Sequence, residues 1–227
     1  MQPPGPSPSS ARFPWQDTAE QLDDFALRFP QAGACARGRS FVDADSGARL
    51  VLPFVLPPPT PGEAVTAFAA RAGTPALARP GPHVVVLLQA GAMALGYWDD
   101  DELLLHKAQK RYVVRGRGKA QPLHLRTRGK SRYGSRLRLQ NWRRLLGECS
   151  ERLRAWWDDP GPARQVFVAI PPRAQAALFA GEPPPPFGAD DPRLRRIPRH
   201  VHVPDHRELL AVRRWLGRGR LVLPAAD

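Results

Sequence analysis

The sequence predicts a mixed α/β (α+β) fold, in which an antiparallel three-stranded meander is followed by βα units in one mixed sheet. A small N-terminal α+β module precedes it. Three observations carry this reading. Strand-like runs between His83 and Val114 are joined by connections too short to hold helices. A long amphipathic pattern with one apolar stripe comes next, and strand and helix patterns then alternate to the end.

Taken in order, residues 1–14 are rich in Pro and Ser and are expected to be a disordered tail. Residues 15–80 are expected to form the small module and a linker. "QDTAEQLDDFALRF" spaces Leu22, Phe25, Ala26 and Phe29 as a helix does, with acids early. "RSFVDADSGARLVLPFVL" reads as a hairpin turning at "DSG", and a proline linker runs into a short helix at "PPPTPGEAVTAFAARAG". The main domain is expected over 81–227. "HVVVLLQ" is a buried strand, "AMALGYW" pairs with it after a glycine, and "ELLLHKAQKRYVV" follows the acidic turn Asp99-Asp100-Asp101-Glu102. Arg115 to about Ser135 shows no period, and loops of that length inside a domain usually carry function.

The clearest helix follows, with Leu139, Trp142, Leu145, Leu146, Cys149, Leu153, Trp156 and Trp157 on one stripe. "DDPGP" stops it, "QVFVAIP" is a strand, and "PRAQAALFAG" is a short helix. "RHVHVP" reads as a last strand, and "DHRELLAVRRWLG" as a final helix capped by Asp205. The order βββ-α-β-α-β-α is that of the ribonuclease H-like fold, which by itself supplies no activity.

Charge narrows the partner. The chain of 227 residues carries net +13, which favours a polyanion, nucleic acid first. No Asp or Glu occurs between Glu102 and Glu148, while 14 of the 34 Lys and Arg fall there. Lys107, Lys110, Arg111, Arg115 and Arg117 lead into the aperiodic stretch. Arg126, Arg128, Lys130, Arg132, Arg136 and Arg138 lead out of it. All are read as phosphate contacts, and Tyr133 as a base-stacking ring. Two cysteines without metal-type spacing, the absence of an apolar leader, and no run long enough to span a bilayer lead to the expectation of a cytoplasmic protein without membrane association.

Within the block, "RGRGKAQ" is the stretch suited to chemistry. Gly116 and Gly118 let backbone approach a ligand, and Lys119 and Ala120 bring further donors beside a developing negative charge. Gln121 is a poor general base, but its amide both donates and accepts, which suits orienting a water against an ester. Pro122 follows directly and stiffens the stretch.

These residues resemble the Vms-like release-factor (VLRF) family, related to the central domain of archaeo-eukaryotic peptide-chain release factors. The resemblance rests on a strand ending K-x-x-x-R-Y-x-V at Lys107 to Val114, G-x-x-Q at Gly118 to Gln121, and L-R-x-x-N at Leu137 to Asn141. It spans roughly His83 to Val222. It implies action on peptidyl-tRNA at the large ribosomal subunit, with Gln121 catalytic near the CCA end and Asn141 among the RNA contacts. Ribosomal RNA and peptidyl-tRNA are then the partners of a monomer that uses no cofactor. Ester hydrolysis and scission of the tRNA 3′ end both fit such a site, as does a non-catalytic ribosome-binding role.

Competing signals are weaker. Gly129-Lys130-Ser131 matches only a fragment of a phosphate loop, because His124 stands where the earlier glycine belongs. His200, His202 and His206 lack a completing ligand, so no metal is expected. The acids of Asp99 to Glu102 fit a solvated turn better than a two-metal nuclease.

Overall fold

A computed structural model describes residues 9–36, 38–74, 79–111 and 130–224, the side chains of 130–134 excepted. The chain divides into two compact units. One comprises the described residues up to Pro80 together with those from Arg213 onward, and the other is Gly81–Val212.

The first unit is built on a five-stranded antiparallel sheet. Its strands are β1 (Ser9–Pro14), β2 (Gly33–Ala34), β3 (Ser40–Val42), β4 (Arg49–Val51) and β10 (Arg218–Leu223), in the order β1-β10-β4-β3-β2. A 3₁₀ turn (Trp15–Asp17) leads into α1 (Thr18–Arg28), and α2 (Val65–Ala72) completes the unit. Leu22 and Phe25 of α1 and Val65 and Phe68 of α2 bury their side chains with Phe41 and Leu50 of the sheet. The β3–β4 turn closes through Asp43, whose carboxylate accepts from the Ser46 amide at 2.9 Å and hydroxyl at 2.6 Å. These bonds hold the Asp43 carboxyl below its usual range.

Two expectations are corrected here. The Pro/Ser-rich tail is not disordered as far as residue 14, because Ser9–Pro14 pairs with β10 along its whole length, from Ser9 opposite Leu223 to Pro14 opposite Arg218. Ladder bonds belong to the backbone, so a composition poor in strand formers does not prevent them. Phe13 anchors the pair by lying over Gly219. A Cβ at Gly219 would come within 2.2 Å of the ring, so only glycine fits opposite it. For the same reason the C-terminal residues do not continue the main domain to 227. The division falls inside the last helix, after Val212, and β10 joins the first sheet between β1 and β4.

The second unit contains β5 (Pro82–Gln89), β6 (Ala92–Asp99), β7 (Glu102–Lys110), α3 (Lys130–Asp158), β8 (Gln165–Ala169), α4 (Pro172–Phe179), β9 (Leu194–Arg196) and α5 (His206–Leu216), which runs past its end. The sheet order is β7-β6-β5-β8-β9. The first three strands are antiparallel, and β8 and β9 run parallel to β5. This is the expected meander followed by βα units. Gly91, at φ 88°, makes the first turn, and Asp100, at φ 47°, makes the second. The Asp100 carboxylate accepts from the Gly81 amide at 2.9 Å, which gives the acidic turn a structural role.

β5 and β6 are buried along nearly their whole length on both faces. Val84, Val86, Leu88, Met93, Leu95 and Tyr97 pack on one face against Leu145, Leu146, Cys149, Leu153 and Trp156 of α3 and Leu178 of α4. Burial pushes the Cys149 thiol up to about 12, so it stays protonated and inert. Opposite, Leu209 of α5 lies 3.2 Å from where a Gly96 Cβ would stand.

Two further expectations change. "RHVHVP" is not a strand. The Gln89 amide donates to the carbonyls of Val201 (2.9 Å) and His202 (3.1 Å), while Leu194–Arg196 takes the ladder position beside β8. The apolar stripe of α3 also does not start at Leu139, which is 50% exposed. A 29-residue helix is about 43 Å long, whereas the eight-residue strand β5 spans about 27 Å. The helix outruns the sheet, and its N-terminal part carries the excess.

Candidate nucleic-acid interface

β7 is the edge strand, and its residues alternate strictly between half-buried and exposed. Leu105, Lys107 and Gln109, opposite Tyr97, Leu95 and Met93, share the face that meets α3, with Leu105 packed on the core. Lys110 points the other way, and its Nζ lies 3.9 Å from Asp205 at the start of α5. Period-two geometry therefore splits the basic strand, giving Lys107 to one face and Lys110 to the other.

Arg111 continues the ladder by donating its amide to Gly91 O at 2.8 Å. Its guanidinium forms a two-pronged ion pair with Glu148 of α3: Nε donates to Oε2 at 3.3 Å and Nη2 to Oε1. Both side chains are about one-third exposed or less, at 26% and 35%.

On α3, residues from Ser135 to Gln140 are exposed except for Arg138, which is half-buried and donates to Ser135 Oγ at 3.0 Å. Arg136, Arg143 and Arg144 are exposed, and Asn141 and Trp142 are half-buried. The helix thus changes character at Asn141, with a basic, solvent-facing stretch before it and a core-facing one after.

A cavity of about 510 Å³ opens between β7 and α3, lined by Met93, Lys107, Gln109, Glu148, Glu151, Arg152 and Ala155. Glu148, Glu151 and Arg152 lie outside the acid-free block. The available signal was helical spacing, since Glu148, Glu151, Arg152 and Ala155 recur three and four residues apart on one face. The cavity mixes both charges.

Gly116, Gly118, Lys119, Ala120 and Gln121, with Arg115, Arg117, Arg126 and Arg128, lie outside the described residues. So does Gly129 of the fragment Gly129-Lys130-Ser131. Lys130, Arg132 and Tyr133 fall in the first turns of α3, where side chains are not described. Chain connectivity nonetheless fixes one point: this segment leaves β7 after Arg111 and returns at the start of α3. His200 and His202 meet edge to face at 5.1 Å, whereas His206 pairs with His106 at 4.5 Å, so the three histidines do not converge. Among the described residues no group of three His, Cys, Asp or Glu is placed to hold a metal, and no helix is long and apolar enough to cross a membrane.

A sheet of order β7-β6-β5-β8-β9, covered on one face by a long helix that carries arginines beyond it, defines a ribonuclease H-like domain with a basic edge. The family described as Bacteroidetes VLRF1 release factor (bVLRF1) matches residues 83–222, and the chain belongs to it. Among curated proteins, the tRNA endonuclease ANKZF1 of Mus musculus is 34% identical over 137 residues, which is 59% of this chain. The match spans only 18% of that relative's length. Among solved structures, the Vms1 mitochondrial localization core superposes with a TM-score of 0.50 at 11% identity, over 92% of this chain and 83% of the other. That likeness is one of fold.

Proposed function

We propose that this chain acts on peptidyl-tRNA in stalled ribosomal complexes and frees the nascent chain. One observation carries the reading. A protein of a release-factor family places the ends of its acid-free basic segment on the edge strand β7 and the overhanging start of α3. Lys107, Arg136 and Arg138, with the cations of 112–129, hold phosphates of tRNA and ribosomal RNA. Gln121 orients a water at the CCA end. The water oxygen bonds to the ester carbonyl carbon, the bond to the terminal ribose oxygen breaks, and that oxygen takes up a proton. The peptide leaves with a free carboxylate. Donors around Gly116 and Gly118 stabilise the oxyanion between these steps.

A second reading uses the same site and is favoured by the kinship to a tRNA endonuclease. A ribose 2′-hydroxyl attacks its own 3′-phosphate, the next 5′-oxygen leaves with a proton, and a 2′,3′-cyclic phosphate remains. The peptide then departs still joined to the terminal nucleotides.

Incubating the purified chain with stalled ribosome–peptidyl-tRNA complexes, then analysing the peptide C-terminus and the RNA 3′ end, tests both. A free carboxylate with an intact CCA end is expected for the first reading. A shortened RNA and a nucleotide-bearing peptide would select the second. Binding without either product would leave a non-catalytic ribosome-binding protein.

A further inference from the structure

Of the three cations at the end of β7, Arg111 is the one held in a two-pronged ion pair. Lys107 faces the cavity, and Lys110 meets Asp205 only at 3.9 Å in an exposed pair. Arg111 instead applies two nitrogens to the Glu148 carboxylate, across 37 residues of sequence. A bidentate arginine–carboxylate pair fixes direction as well as distance. Partial burial also keeps it from the near-zero worth of an open surface pair. The pair commits two of the five guanidinium N–H donors and fixes the direction of the side chain. The geometry therefore supports a role for Arg111 beside the expected RNA contact.

The position of the pair points to that role. Arg111 is tied through its amide to Gly91 and through its side chain to α3, at the point where the chain departs for 112–129. Glu148 is the first acid after the basic block, and it sits on the core-facing half of α3, next to the buried Cys149. The pair thus joins the strand that the basic segment leaves to the helix to which it returns, on the half of that helix that packs on the sheet.

We propose that Glu148 is a positioning residue for the release reaction: by clamping Arg111 it sets the strand end and α3 in the relation that productive cleavage requires. This rests on the release reading above. Glu148 touches no reacting atom in this scheme. It acts through Arg111, and its loss moves the rate at saturation rather than the affinity, because the phosphate-gripping cations are left in place.

The test compares wild type, Glu148→Gln and the charge swap Arg111→Glu/Glu148→Arg in two assays. Single-turnover cleavage of stalled ribosome–peptidyl-tRNA complexes is followed against protein concentration. Glu148→Gln is expected to lower the saturating rate about tenfold, with the half-saturating concentration unchanged within about twofold, and the swap to recover most of the loss. In the free protein, hydrogen exchange at the Arg111 amide is expected to speed up about tenfold in Glu148→Gln and to return toward wild type in the swap. Both variants keep side chains of comparable size on half-exposed positions, and a melting curve checks the fold. An unchanged saturating rate overturns the proposal. So does tighter binding at an unchanged rate, which would make Glu148 a stand-in for an RNA phosphate on Arg111. A wild type that cleaves nothing overturns the release reading instead. Amide exchange then decides alone whether Glu148 holds Arg111, and unchanged exchange overturns that too.

Discussion

The two halves of α3 belong to one continuous helix but answer to different partners. From Leu145 to Trp156 the helix buries Leu145, Leu146, Cys149, Leu153 and Trp156 on the sheet, with exposures of 6% or less. From Ser135 to Gln140 it stands mostly in solvent, with Leu137 at 37% and Leu139 at 50% exposed beside arginines. A helix needs tertiary contact for most of its stability, and the later half supplies it. The earlier half is then held out as a mostly solvent-facing extension. Substitutions in the two parts should therefore separate activity from stability.

The largest separation is expected just before the helix. Gln121→Ala should cut release on the order of a hundred- to a thousandfold and leave ribosome binding and the melting temperature unchanged. A wild-type rate in a single-turnover assay would remove Gln121 from the chemistry. The opposite behaviour is expected of Leu153, which is fully buried on α3. Leu153→Ala should cost about 2–5 kcal/mol in denaturant unfolding, with a wild-type rate in whatever fraction remains folded.

Cys149 probes the same buried half through pH. Its thiol is pushed up to about 12 from an ordinary value of 9.0, so the fold prefers the protonated form. The stabilisation is complete below the unfolded value and is lost as pH rises from about 9 toward 12. Unfolding midpoints should fall over that window, and native Cys149 should resist an alkylating reagent at neutral pH. Rapid labelling of the folded protein would contradict its burial.

Smaller effects are expected on the solvent-facing half. Arg136→Ala/Arg138→Ala should leave stability within about 0.5 kcal/mol while weakening RNA binding and lowering the salt slope by about 2. An unchanged slope in a salt titration would mean that these arginines meet no phosphate. The smallest effect falls to Leu139, which periodicity assigns to the core. Its half-exposed position predicts less than about 1 kcal/mol for Leu139→Ala, against the larger cost at Leu153. Equal costs at both positions would restore the unbroken stripe.

Local pattern alone was enough to determine the second unit's meander, its long helix and the basic block beside them. Strand and helix periods, turn residues and charge runs are written in neighbouring residues, and β5 and β6 are apolar enough to be read without partners. The family-bearing motifs were equally legible, because each lies within a few residues. Other features depended on residues far apart in the chain. Strand β10 left for the first sheet because its partners are β1 and β4, at the other end of the sequence. "RHVHVP" lost its strand to Leu194–Arg196 because Gln89, over a hundred residues earlier, holds its carbonyls. Arg111 met Glu148, 37 residues later, because α3 folds back across β7. Leu139 fell outside the core because α3 is longer than the strands beneath it. Sequence by itself determined the meander, the long helix and the run of charge beside them. Tertiary structure decided which groups were spent on the fold and which were left for a ligand, since backbone pairing, burial and ion pairing are settled only when distant segments meet.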